Sequence, residues 1–265
     1  MSLNLGLLNG STIEEVADLV AKNGRLVALT GAGISVESGI PDFRSDHGLW
    51  TRFDPMEYAT MDAFRRDPVK VWRLFRELSE LEEARPNEGH AALKVLEDLG
   101  YLQAIITQNI DSLHSRAGNT NVIELHGSTR RLRCIECGTV FPRCEMPAGE
   151  VKMPPVCDLC GGLVKPDVIL FGEPLPEDAL NAAREAAAGA AVLITVGTSG
   201  LVSPANIIPR IAKDSGAFLV EVNIEETVLT SSVTDYFLRG SSSQVLPRLA
   251  RRLRAMHQPH ANIPW

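Results

Sequence analysis

Apolar and polar positions along the chain follow two rhythms. Short, nearly continuous apolar runs rich in β-branched residues stand at 25–30 (RLVALT), 102–107 (LQAIIT), 190–197 (AAVLITVG) and 216–223 (GAFLVEVN). Runs of that length bounded by glycine predict buried strands. Helical spacing fills the intervals. Ser11 and Thr12 precede Glu14 and Glu15, a capping-box arrangement that opens a helix to about Lys22. Asp67-Pro68 supplies an N-cap and a first-turn proline for a helix through about Glu83, with Val71, Trp72, Phe75, Leu78 and Leu81 along one side. A further helix follows Pro86-Asn87 and stops at Gly100. Others are expected at 177–188, 204–213 and 243–256, the last carrying Val245, Leu246, Leu249 and Leu253. Strands alternating with helices predict an α/β fold with a largely parallel sheet.

The region from about 128 to 165 breaks this pattern. It is rich in Cys, Pro, Gly and Arg and lacks either periodicity. Four of the five cysteines form Cys134-x-x-Cys137 and Cys157-x-x-Cys160, nineteen residues apart. That spacing suits zinc, because each two-residue gap brings both thiolates of a knuckle to one side of a tight turn. Two disulfides are the competing reading, and they are disfavoured in a cytosolic chain. Four protein thiolates leave no open position, so the ion is expected to be structural and to replace a core that so small an insert cannot build. Cys144 lies off the pattern and is read as a bystander.

Composition changes the picture mainly by exclusion. The 265 residues are 45% hydrophobic and 22% charged, with a formal net charge of −7. An acidic balance offers no support for a nucleic-acid partner, and no run is apolar enough to span a bilayer. No charged segment followed by an apolar one marks a secretory signal, so a cytoplasmic protein is expected. The basic RRLRAMH cluster near the C-terminus is read as the cationic end of a helix.

The chemistry gathers at the predicted strand ends. Gly31-Ala32-Gly33 follows the first strand as a dinucleotide-binding turn would, since glycine lets backbone approach a pyrophosphate. Val36 replaces the third glycine of that fingerprint, and Pro41 arrives too early for a long phosphate-binding helix. The second strand runs into Gln108, Asn109 and Asp111, the third into Gly197-Thr198-Ser199, the fourth into Asn223 and Glu225. Any one of these suits an ordinary turn; four on one rim point to a dinucleotide site. His126, in IELHGS, is the foremost acid-base candidate of six histidines, against the alternative of a packed strand-end imidazole. His114 suits a structural role equally well, and His90 reads as a helix-face residue.

Taken in order, GAGIS, GIPDFR, TQNID, HG, the two C-x-x-C pairs, KPDVILFGE, GTS and VNIE resemble the sirtuin family from about residue 12 to 250. Each motif alone is weak, whereas the ordered set is highly specific. The resemblance implies a Rossmann-like parallel-sheet domain (1–44, 86–127 and 166–256) and a smaller domain made of a helical module (45–85) and a zinc ribbon (128–165), followed by a tail from 257. It also implies an NAD-dependent protein-lysine deacylase acting on acetylated-lysine proteins or peptides, in which the acyl oxygen attacks the nicotinamide ribose. The products would be free lysine, nicotinamide and an O-acyl-ADP-ribose.

Carried over by motif, His126 and Asn109 would be catalytic, with His126 the general base on a ribose hydroxyl. Gly31, Ala32, Gly33 and Ser35 would face phosphates and ribose, with Asp42, Phe43 and Arg44 in a mobile loop over the cofactor. Gln108, Asn109, Ile110 and Asp111 would line the nicotinamide side; Gly197, Thr198, Ser199, Asn223, Ile224, Glu225 and Ser242 would hold the phosphate and adenosine. Val168, Ile169, Leu170, Phe171 and Gly172 would pair with the peptide backbone as an added strand.

Sirtuins that favour succinyl-lysine carry a Tyr-x-x-Arg pair in the helix before the PN-x-x-H segment. An ungapped alignment puts Trp72 and Phe75 there, with Arg76 one residue beyond, so an apolar pocket for acetyl or longer aliphatic groups is expected. Two other classes remain open: a protein ADP-ribosyltransferase on the same scaffold, and a non-catalytic NAD-binding regulator. Intact Asn109, Asp111 and His126 weigh against the second of these.

Overall fold

The computed structural model describes residues 12–43, 45–46, 48–79, 84–143 and 154–257. Helix α1 (Ile13–Asn23) opens on the expected capping box, with Thr12 Oγ1 accepting from Glu15 N–H and the Glu15 carboxylate accepting from Thr12 N–H. Such caps are worth about 1 kcal/mol. Strand β1 (Leu26–Thr30) follows, then two 3-10 turns at Ala32–Ile34 and Val36–Ser38. Next come α2 (Pro55–Tyr58), α3 (Met61–Arg66), α4 (Pro68–Ser79) and α5 (Glu88–Asp98). β2 (Leu102–Thr107), α6 (Leu113–Arg116) and β3 (Val122–Glu124) precede β4 (Gly127–Cys134), β5 (Val140–Pro142) and β6 (Val164–Val168). α7 (Glu177–Gly189), β7 (Val192–Val196), α8 (Ile208–Asp214), β8 (Phe218–Asn223), β9 (Tyr236–Arg239) and α9 (Ser242–His257) complete the order.

Six strands form one parallel sheet in the order β3-β2-β1-β7-β8-β9. Counted within that sheet, this is the 3-2-1-4-5-6 order of dinucleotide-binding folds, which reverses direction between β1 and β7. Every residue of β1 and β7 is buried, because helices cover both faces. On one side Val16, Val20, Leu93, Leu96, Leu246 and Leu249 of α1, α5 and α9 pack on Leu26, Ile105 and Ile194. On the other, Ala183 and Ala187 of α7 and Ile208 and Ala212 of α8 cover Val27, Ile106 and Leu193.

The four strands read as apolar runs are present: 102–107 at its expected bounds, 25–30 and 216–223 shortened only at their N-terminal ends, and 190–197 shortened at both ends. The segment 128–165, which lacks periodicity, contributes most of a second sheet, antiparallel in the order β5-β4-β6, which begins at Gly127 and runs on to Val168. Its charged strand β4 is satisfied laterally: Arg131 and Arg133 each place Nε on the Asp167 carboxylate of β6, at 2.9 and 2.6 Å. Arg131 also reaches Glu124 of β3 at 3.0 Å, which ties the small sheet to the large one. Phe64, Val71, Trp72 and Phe75 of α3 and α4 share a core with Leu132, Val164 and Leu170. The helical module and the cysteine-bearing sheet therefore form one body. Cys144, Leu81 and Glu83 lie outside the described residues.

Candidate active site

The sheet reverses where β1 and β7 lie side by side, and there two backbones approach closely. Gly31 N–H donates to Val196 C=O and Gly33 N–H to Gly197 C=O, at 3.0 and 2.9 Å. A Cβ on Gly33 would lie 2.7 Å from Gly197 Cα, and Gly197 itself has φ +57°. Only glycine satisfies both positions without displacing backbone. The two 3-10 turns stand where a long helix would otherwise begin, in keeping with the missing third glycine and the early Pro41.

A cavity of about 530 Å³ opens above this junction, within the range of small-molecule sites. Gly31, Ala32, Gly33, Asp42, Phe43, Gln108, Asn109, Ile110 and His126 line it, as do Gly197, Thr198, Ser199, Asn223, Ile224, Glu225 and Ser242. Val168, Ile169, Leu170, Phe171 and Gly172 line it as well. Ser35 and Asp111 stand behind the wall instead. The Ser35 hydroxyl, buried, donates to Asp111 Oδ2 at 2.7 Å and accepts from Asn109 Nδ2 at 3.1 Å. Asn109 Nδ2 donates also to Gly31 C=O at 3.1 Å, which leaves the amide oxygen as the group available to the cavity. Burial pushes the Asp111 carboxyl above its ordinary value, while hydrogen bonds from Leu113 N–H and Ser35 oppose that shift. Arg44 lies outside the described residues.

His126 sits at the junction of the two sheets, directly before β4. Its Nδ1 is 2.9 Å from the Gln108 carbonyl oxygen. A carbonyl only accepts, so Nδ1 carries the proton and Nε2 keeps a bare lone pair. Desolvation lowers the imidazole pKa, so the ring is neutral at physiological pH. The Gln108 amide, in turn, donates to Thr198 Oγ1 at 2.9 Å. Strand ends β2, β3 and β7 are thereby joined by hydrogen bonds through side chains on the cavity floor. His90 and His114 play a different part: both are fully buried, and His114 Nε2 meets Thr30 Oγ1 at 2.9 Å below the floor. His90 thus lies on the buried face of α5.

Several lining residues were not legible beforehand. Trp50 closes one end, its ring 5.1 Å from Phe43 and 6.3 Å from Phe171. Its only sequence signal is an aromatic two residues after Gly48. Glu37 lines the cavity while accepting from Ser241 Oγ and Ser243 N–H at the start of α9. Leu74 and Phe75 of α4 line the end bounded by Ala59 and Leu170, whereas Trp72 does not. Trp72 turns to β6, its indole N–H donating to Val164 C=O at 2.9 Å. Of the two positions assigned by alignment, Phe75 lines the cavity and Trp72 does not.

The four cysteines converge away from this cavity. All their Sγ atoms lie within 4.8 Å of one another, with Cys134–Cys160 at 3.5 Å and Cys137–Cys157 at 3.8 Å. Zn–S bonds of 2.3 Å in a tetrahedron require S···S edges of about 3.8 Å. The thiolates fit a structural zinc ion.

Comparison with known proteins agrees with the geometry. Residues 31–204 match the model of the Sir2 family. The NAD-dependent protein deacylase 2 of Pyrobaculum aerophilum is 51% identical over 244 residues, covering 90% of this chain and 96% of that protein. The crystal structure of a Sir2 homologue in complex with NAD superposes with a TM-score of 0.87 at 45% identity, covering 94% of this chain and 96% of the other. A Sir2 protein bound to a myristoylated histone peptide gives 0.78 at 36% identity, covering 94% and 98%. Matched by the family model over residues 31–204, in sequence over 90% of its length and in fold over 94%, the chain belongs to the Sir2 family.

Proposed function

We propose that this protein is an NAD-dependent protein-lysine deacetylase that also accepts longer aliphatic acyl groups. The observation that carries the reading is the position of His126: its proton-free nitrogen belongs to a ring lining the same cavity as the glycines of the β1–β7 junction. NAD, when bound, supplies the ADP-ribosyl group that takes up the acyl group as nicotinamide departs. Gly31–Gly33 and Gly197–Ser199 would hold its phosphates, and Asn223, Ile224, Glu225 and Ser242 its adenosine half. Asn109, with its amide oxygen free, and Ile110 would border the nicotinamide, and Ser35 and Asp111 fix Asn109 from behind. Phe43, with Asp42 and Arg44, would shield the reacting face from water.

His126 would act as general base, drawing a proton from a sugar hydroxyl onto Nε2 while Gln108 C=O holds Nδ1–H. Val168–Gly172 would take the acylated peptide as an added strand, a mode that reads backbone more than sequence. The apolar end formed by Ala59, Leu74, Phe75 and Leu170 suits an acetyl or aliphatic chain. We divide the chain into a Rossmann-like domain of 1–44, 86–127 and 166–256, a helical module of 45–85, and a zinc ribbon of 128–165. Four thiolate ligands suit a reducing compartment, in keeping with a cytoplasmic enzyme.

The test is incubation with NAD and an acetyl-lysine peptide while peptide mass and free nicotinamide are followed. Stoichiometric loss of acetyl, abolished in His126→Ala, supports the reading. Nicotinamide release with mass added to protein would instead indicate ADP-ribosyl transfer.

A further inference from the structure

Lys165, in β6, is 1% exposed. A buried ammonium persists only where acceptors take its protons. Its Nζ donates to Val168 C=O at 2.6 Å and meets Glu173 Oε2 at 3.1 Å. The same carboxylate oxygen accepts from Leu170 N–H at 2.8 Å, and Glu173 N–H donates back to Leu170 C=O at 3.0 Å. One ion pair thus fixes the backbone at 168, 170 and 173, just where the chain has left regular strand geometry after Val168.

Two more ties aim this stretch. Ile169 N–H donates to His126 C=O at 3.0 Å, which fastens it to the residue bearing the imidazole. Phe171 N–H donates to Ala59 C=O, and its carbonyl accepts from Met61 N–H, at 2.8 and 3.1 Å. Among the described residues, Ile169 C=O accepts no hydrogen bond, although Ile169 lines the cavity. The segment is therefore held by bonds within itself and to His126, Ala59 and Met61, and still presents an acceptor at the cavity.

We propose that Lys165, through its ion pair with Glu173, is a positioning residue for the acylated peptide. The pair holds Val168–Gly172 as a preformed edge, so that substrate backbone docks without first ordering it. Preorganisation of this kind acts on substrate binding more than on the cofactor half of the site. The proposal rests on the deacylase reading above.

The experiment is steady-state kinetics of the full-length, metal-containing protein, with peptide and NAD varied separately. Lys165→Met removes the donor, and Lys165→Arg restores one. A double Lys165→Met, Glu173→Gln variant leaves no unpaired buried charge and so separates positioning from folding. The peptide KM is expected to rise about tenfold or more in Lys165→Met and in the double variant, while the NAD KM stays within about twofold. Lys165→Arg should recover most of the loss, and the melting temperature of the double variant should stay near that of the unaltered protein. If the unaltered protein does not deacylate, the functional reading falls. Where it does, an unchanged peptide KM in the double variant, or an equal rise for peptide and NAD, overturns the positioning role. A double variant that cannot fold assigns the pair to folding alone and overturns it as well.

Discussion

His126 Nδ1 lies 2.9 Å from the carbonyl oxygen of Gln108, and the surrounding burial lowers the imidazole pKa. The form with a bare Nε2 therefore persists to pH values below an ordinary histidine's. On the acetyl-lysine peptide, kcat/KM should stay level through neutrality and fall on the acid side with an apparent pKa below about 6.5. His126→Ala should lose roughly 10²–10⁴-fold in kcat while still binding NAD. An acid limb centred above neutrality would contradict the assignment.

The neighbouring pair His90 and His114, with ring centroids 4.9 Å apart and planes tilted by 56°, makes a separate prediction about stability. Desolvation pushes His90 down to about 4, and desolvation together with its neighbour pushes His114 to about 3. Below the unfolded value of about 6.5 the unfolded chain binds more protons than the native one, so stability must fall as pH drops toward those values. The slope should reach about 1.4 kcal/mol per pH unit for each proton taken up. Urea unfolding followed from neutral pH to about pH 5, above the main carboxylate range, measures it. A constant midpoint across that window would mean that the rings are not held neutral.

Gly33→Ala should be poorly tolerated, because the new methyl would meet Gly197 Cα at 2.7 Å and its carbonyl oxygen at 2.9 Å. Separating the two backbones is expected to cost about 1–3 kcal/mol and to weaken NAD binding by about tenfold or more. Thermal unfolding and calorimetric titration with NAD report the two effects independently.

The apolar end formed by Ala59, Leu74, Phe75 and Leu170 offers a carboxylate no cation among its described lining residues. Desolvating an unpaired charge is unfavourable by several kcal/mol. Acetyl-lysine peptide should therefore give a kcat/KM at least about tenfold above that of succinyl-lysine peptide. The reverse order would require a cation to enter this pocket.

Metal analysis should find one zinc per chain. Cys134→Ser should lower its occupancy, because the four sulfurs already sit at coordination spacing. Structural zinc in small modules contributes on the order of 10 kcal/mol of folding energy. Chelation should accordingly lower the melting temperature and the yield of soluble protein, with activity lost in step. Activity and melting temperature that survive complete zinc removal would refute the structural role.

Legibility from sequence followed the periodicity of burial. β1 and β7 are buried at every position, so their apolar runs announced them. The glycines of the junction stood out because backbone proximity excludes side chains. β4 escaped because Arg131 and Arg133 find carboxylates on neighbouring strands, a compensation invisible along one strand. β6 escaped because VKPDV holds a proline and a buried lysine, both unusual inside a strand. Trp50, Glu37 and Leu74 join the cavity through tertiary contacts that no local spacing encodes. Trp72, placed at the acyl end by alignment, does not line the cavity, because its indole N–H donates to Val164 C=O.

The cysteine cluster lies apart from the cavity, yet it shares its hydrophobic core with α3 and α4, whose neighbours shape the acyl end. A shortage of metal would thus be felt in the cell as fewer intact molecules, cleared by proteolysis, and not as slower turnover by those that remain.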